Sequence, residues 1–119
     1  MRYLLLIYTD EGMESSMTPE QQGEVYQAYN KYTTDLNESG KMLGGEALQP
    51  TATATAVQVR NGETLITDGP HAETKEQLGG FYMVNADDLD DAIAWAAKIP
   101  GAEVGTIEVR PIMEFEDPS

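Results

Sequence analysis

Two short apolar runs set the strongest limit on what this chain can fold into. YLLLIY at residues 3–8 and FYMV at residues 81–84 show no polar alternation, so as strands both are apolar on each face. Leu4 and Leu6 point one way while Leu5 and Ile7 point the other; Phe81 and Met83 likewise oppose Tyr82 and Val84. A sheet built on these strands must be covered twice. With 119 residues the chain is one domain, large enough to hold a core yet small enough that a second subunit would add substantially to it.

The remaining patterns say what the first cover is. TPEQ supplies a helix start, with Thr18 as N-cap, Pro19 at the first helical position and Gln21 at the capping-box position. Val25, Ala28, Tyr29, Tyr32 and Leu36 continue it as an apolar stripe until Gly40 stops it. A second helix begins at Asp87 or Asp88, runs through Leu89, Ala92, Ile93, Ala96 and Ala97, and ends at IPG after Lys98. Asp10, Gly12 and Ser16 mark a loop before the first helix.

Strands fill the intervals. KMLGGEALQP predicts a short or bulged strand closed by Pro50, and TAVQVRNGETLIT predicts a hairpin turning at Asn61 and Gly62. GTIEVRPIM is the last strand, where Pro111 marks an edge or an end. The domain spans 1–113, with 114–119 as a C-terminal tail. The resulting order, β, α, β, β, β, β, α, β, predicts an α+β fold of ferredoxin-like kind, an antiparallel sheet with two helices on one face. Two helices leave the other face bare, and the same face of a second copy is the most economical cover, so a homodimer is expected.

Seven Lys and Arg stand against 21 Asp and Glu, a formal charge of −14. Such a chain repels phosphate backbones and anionic lipid, so neither nucleic acid nor a membrane surface is an expected partner. With no cysteine there is no disulfide, thiol nucleophile or Cys-ligated zinc, and one histidine is too few for a zinc site. NADDLDDA lacks the glycine and distant glutamate of a calcium loop; the glycine pairs at 44–45 and 79–80 lack a phosphate loop's ending; no G-x-S-x-G elbow occurs. No metal or cofactor is therefore expected. The first apolar run is shorter than a secretory signal core, and no stretch reaches the ~20 apolar residues of a membrane span. A soluble, cytoplasmic protein is the expectation.

The chemistry concentrates in TDGPHAETKEQ, residues 67–77. Asp68, Gly69 and Pro70 make an ordinary turn, but His71, Glu73, Lys75 and Glu76 follow within six residues, in a connection longer than a hairpin needs. A histidine with Asp68 or Glu73 in reach is the usual equipment of a general acid or base. A solvated loop with a Glu73–Lys75 ion pair fits the same residues. Glu108 and Arg110, two apart in the last strand, share a sheet face, and Arg110 could hold a ligand carboxylate through two parallel hydrogen bonds. Tyr8, at the end of the first strand, and Glu46 in GGEAL are further binding candidates.

TDGPHAETKEQLGGFY, with GGEALQPTATAT upstream and DDLDDAIAWAAKIP and IEVRPI downstream, resembles the DGPF group of YCII-related proteins across nearly the whole chain. The resemblance implies a ferredoxin-like fold assembled as a dimeric α+β barrel, and a small-molecule site in a cleft lined by the signature loop. Related proteins of this kind are thought to use a His and Asp pair, and a few act on small cyclic or halogenated compounds. This sequence has no histidine before His71 and reads DGPH where the group usually has Phe. The carry-over therefore moves from His71 to Asp68, Glu73, Lys75 and Glu76, with Arg110 behind them. Two functions follow: metal-free acid–base chemistry on a small organic molecule, or a non-catalytic ligand-sensing module that contacts a sigma factor, as the association of some members with such factors suggests.

Overall fold

The computed structural model describes residues 1–116; the end of the expected tail, 117–119, lies outside the described residues. Strand β1 is Arg2–Thr9, and after a short helix α1 (Glu11–Ser15) the long helix α2 runs over Pro19–Glu38. Strands β2 (Met42–Ala47), β3 (Thr55–Arg60), β4 (Glu63–Asp68) and β5 (Gln77–Asn85) follow, then helix α3 (Leu89–Ala97) and strand β6 (Thr106–Pro111). Four strands form one antiparallel sheet in the order β2-β5-β1-β6, while β3 and β4 form a separate two-stranded ribbon. This is the ferredoxin-like α+β arrangement, with the ribbon inserted between its second and third strands.

The local signals act as their chemistry predicts. Thr18 Oγ1 accepts from the Gln21 amide and the Gln21 side chain accepts from the Thr18 amide, closing the capping box. Asp88 caps α3 by accepting from the Asp91 amide. Asn61 and Gly62, at φ 52° and 78°, make the tight turn that the right-handed twist of a ribbon prefers. β2 is bulged between Met42 and Gly44. α1 differs from the expected loop: Asp10 accepts from the Gly12 amide and caps a helix of five residues.

Tyr3, Leu5 and Ile7 of β1 and Tyr82 and Val84 of β5 are buried on one sheet face, under Tyr32 and Leu36 of α2, Ala92 and Ala96 of α3, and Ile99. Tyr32 sits edge-on to Tyr82 and Trp95, with ring centroids 5.0 and 6.1 Å away, and its hydroxyl donates to the Trp95 carbonyl at 3.0 Å. The predicted stripes are only partly inward. Val25, Leu89 and Ile93 stay exposed, because the sheet meets each helix along the narrower line of Tyr32–Leu36 or Ala92–Ala96. Lys41 fastens the start of α3 by pairing with Asp91 at 2.5 Å and Asp87 at 3.5 Å. The first part of the expected tail is tied to β1, where the Arg2 guanidinium meets both Glu114 oxygens at 2.6 and 2.8 Å.

Candidate functional site

On the other face of the sheet no helix or strand among the described residues lies across the strands. Leu4, Leu6 and Tyr8 of β1 and Phe81 and Met83 of β5 are half-buried there, with the Arg2 guanidinium 4.0 Å from the Met83 sulfur. The register sets who stands beside whom. One row reads Glu46, Phe81, Leu6, Glu108 across the four strands, and the next reads Gly44, Met83, Leu4, Arg110. Arg110 and Glu108 pair at 3.0 Å within β6, as their same-face spacing predicted. Glu46 stands at the opposite edge of its row, three strand spacings or roughly 14 Å from Glu108.

Below these rows Tyr8 is paired with Thr106 of β6 and Leu78 of β5. The Thr106 hydroxyl donates to Glu76 Oε1 at 2.9 Å, so the last carboxylate of the 68–76 loop is fastened beside the Tyr8 end of the open face. Gln77 organises that loop from its far end: its side-chain amide donates to the carbonyls of Ala72 and Thr74 at 3.1 and 2.9 Å. At the near end the Gly69 amide donates to the Ala54 carbonyl at 2.7 Å, closing the root of the ribbon. Gly105 brings β6 against β1 so closely that a Cβ there would lie 2.1 Å from the Tyr8 carbonyl oxygen. Only glycine admits that approach.

The predicted residues thus divide. Tyr8, Glu76, Glu108 and Arg110 gather along one side of the open face and Glu46 stands across it. Asp68, His71, Glu73 and Lys75 are all exposed, and among the described residues no hydrogen bond or ion pair joins their side chains to that group or to one another. The Glu73–Lys75 ion pair of the alternative, solvated-loop reading is not formed; the loop's hydrogen bonds run through Gln77 and Thr74. Among the described residues, no three His, Asp or Glu side chains come together as a metal-ligand group.

A second polar cluster, which the sequence reading missed, lies at the end of β1. The buried Thr9 hydroxyl donates to Glu14 Oε1, and the Glu11 carboxylate accepts from the Thr51 amide and hydroxyl at 2.9 and 2.7 Å. Tyr29 Oη accepts from the Gly101 amide at 3.2 Å, and burial pushes the acidity of this phenol down, raising its pKa. The available signal was Asp10 followed by Glu11 and Glu14, an N-cap with acids in the first turn. These groups satisfy one another and hold α1 on the sheet; they anchor the chain around the site.

The YCII-related domain model matches residues 1–116. An uncharacterized protein of Rhizobium meliloti is 37% identical over 118 residues, which is 98% of this chain and 95% of that protein.

Proposed function

The chain belongs to the YCII-related domain family, and we propose that it binds a small organic molecule in a cleft completed when the open sheet face meets a second copy. The single observation that carries this reading is that open face: Leu4, Leu6, Phe81 and Met83 form an apolar floor, with Tyr8, Glu46, Glu76, Glu108 and Arg110 set around it. Small-molecule sites have this composition, mostly apolar walls with a few polar groups that fix orientation. No helix is long and apolar enough to cross a membrane among the described residues. In this reading Arg110 holds a carboxylate or similar anionic group of the ligand, exchanging Glu108 for it, and the Tyr8 hydroxyl supplies a hydrogen bond.

Conversion of the ligand would be metal-free acid–base chemistry by Asp68 and Glu73, with His71 as an auxiliary, and Lys75 and Glu76 as binding groups. In one chain Asp68, His71 and Glu73 stand in solvent, and burial is what raises a carboxyl toward the range useful for proton transfer. Binding is therefore the leading activity, and chemistry follows only where the second copy or the ligand covers the loop. The same exposure supports a second reading, in which the loop is the contact surface of a ligand-sensing module for a protein partner such as a sigma factor.

A thermal-shift screen of small organic acids against the wild type, Arg110→Ala and Glu73→Ala tests the site, because a ligand of the native state stabilises it by mass action. A true ligand raises the wild-type Tm and loses most of that effect in Arg110→Ala. Equal shifts in all three proteins would remove the open face as the site.

A further inference from the structure

The β3–β4 ribbon is the part of the fold that the chain itself does not account for. It pairs with no strand of the main sheet, and its register gives it two unlike faces. Val57 lies opposite Ile66 and Val59 opposite Thr64 on one side, with Gln58 and Leu65, and Arg60 and Glu63, on the other. On the apolar side Val57, Val59 and Ile66 are 61%, 60% and 67% exposed. A two-stranded ribbon is marginal in water without something packed on it, and an uncovered apolar ribbon with free edges is an association surface.

The ribbon does not fold back over its own domain. The chain measures 52 × 48 × 18 Å, and two layers already stand about 10 Å apart, leaving no depth for a third. Its radius of gyration is 16.6 Å, against about 13.5 Å for a compact chain of this length. The ribbon therefore extends alongside the two layers. Its direction is also held: Glu11 grips Thr51 just before β3, the Leu48 amide bonds the Gly79 carbonyl at 2.9 Å, and Gly69 closes the root on Ala54.

We propose that this ribbon is an arm whose Val57–Val59–Ile66 face lies on a second copy of this chain, continuing the contact between the two open sheet faces past the sheet edge. The inference rests on the dimer of the preceding reading and adds the element that makes it large enough. The open sheet face has a footprint of about 19 × 20 Å, or roughly 400 Å², whereas a stable interface takes about 800 Å² from each partner. Each arm contributes about 200 Å² more. Because the contact is two-fold, every chain both gives an arm and receives one, which brings its share to about 800 Å². Charge favours the same occupant. Residues 55–68 carry Arg60 against Glu63 and Asp68, a net charge of −1 in a chain of −14, so the arm meets less repulsion from another acidic copy than the rest of the surface would. Asp68 is the last residue of β4, so docking the arm also fixes where the 68–76 loop enters the interface.

Sedimentation equilibrium across a concentration series, on the full chain, tests this with two variants. Val57→Lys/Ile66→Glu keeps a favourable cross-strand pair in the free ribbon but places charges on its docking face; Leu4→Glu places a charge on the open sheet face, opposite Arg110. The expected result is a wild-type dimer, and a dissociation constant raised at least 100-fold in the ribbon variant while circular dichroism shows an unchanged fold. Hydrogen exchange should show the ribbon amides protected in proportion to the dimer fraction. A ribbon variant that dimerises like the wild type, with Leu4→Glu dissociated, overturns the arm and leaves the sheet-face dimer standing. A wild type that is monomeric throughout overturns both.

Discussion

Leu5 and Leu6 are adjacent in β1 and chemically identical, yet Leu5 is 0% exposed while Leu6 is half-buried on a face that no helix crosses. The same contrast runs through β5, where Tyr82 and Val84 are sealed under the helices and Phe81 and Met83 look outward. Alternation along a strand makes both faces equally apolar; only the layer packed against each decides its fate. The covered face has the marks of a finished core: among the described residues no buried side-chain polar atom is left unpaired, and Tyr32 bonds to Trp95 and Tyr82 to Thr33 at 2.7 Å. On the open face, charged groups occur in the rows themselves, as Glu46, Glu108 and Arg110 do. A core tolerates few such groups, and a binding surface uses them.

The largest test of this contrast is a pair of truncations. Leu5→Ala should cost about 2–5 kcal/mol in urea unfolding, whereas Leu6→Ala should cost about 1 kcal/mol at protein concentrations where the chain is monomeric. Equal losses under dilution would erase the distinction between the faces. A Leu6→Ala penalty that grows with protein concentration would sharpen it, because only a cover from a second copy depends on concentration.

A smaller effect comes from exchanging the two ring types of β5. Tyr82→Phe deletes the hydrogen bond to Thr33 and should lower stability by about 1 kcal/mol. Phe81→Tyr adds a hydroxyl to the open face and should stay within about 0.5 kcal/mol of the wild type in the monomer. Denaturant midpoints of both variants decide the point.

The smallest effect is a pH dependence at the borders of the two faces. The Lys41 ammonium holds the Asp91 carboxyl below its usual range, and the Arg2 guanidinium does the same to Glu114; Lys41 is itself raised above its ordinary value. A carboxyl whose pKa is lowered on folding stabilises above its unfolded pKa, and that contribution is lost as pH falls through the lowered one. The raised ammonium stabilises below its unfolded pKa and loses this only in strong alkali. Lys41→Met should therefore lie below the wild type near pH 7 and approach it below about pH 4. A gap that persists unchanged in acid would mean the pair adds nothing.

Much of the architecture was legible along the chain. The capping box at Thr18 and Gln21, the Asn61–Gly62 turn and the doubly apolar runs act within a few residues, so local chemistry suffices to place them. For β2 the paired glycines allowed a short or a bulged strand, and the strand is bulged at Leu43, just ahead of them. α1 was not legible, because five residues give too short a period to read and its hold comes from Glu11 reaching Thr51, forty positions away. Half of the site was visible for the same reason that the other half was not. Glu108 and Arg110 share a face by strand alternation, whereas the bond of Glu76 to Thr106 depends on β5 and β6 flanking β1 at its Tyr8 end. The crowding of Asp68, His71, Glu73 and Lys75 in sequence suggested a cluster that an exposed loop does not draw together.

By itself the sequence determined the order of the six strands and the two longer helices, the hairpin turn and the caps of those helices, and that both faces of the central strands need burial, since each of these follows from side chains within a turn or a strand of one another. Tertiary structure alone decided that the helices take the Leu5 face, that the Leu6 face stays open beside Arg110 and Glu76, and that the β3–β4 ribbon stands apart from the sheet. Those choices depend on which distant surfaces meet, and identical leucines one residue apart carry no record of what will be packed on them.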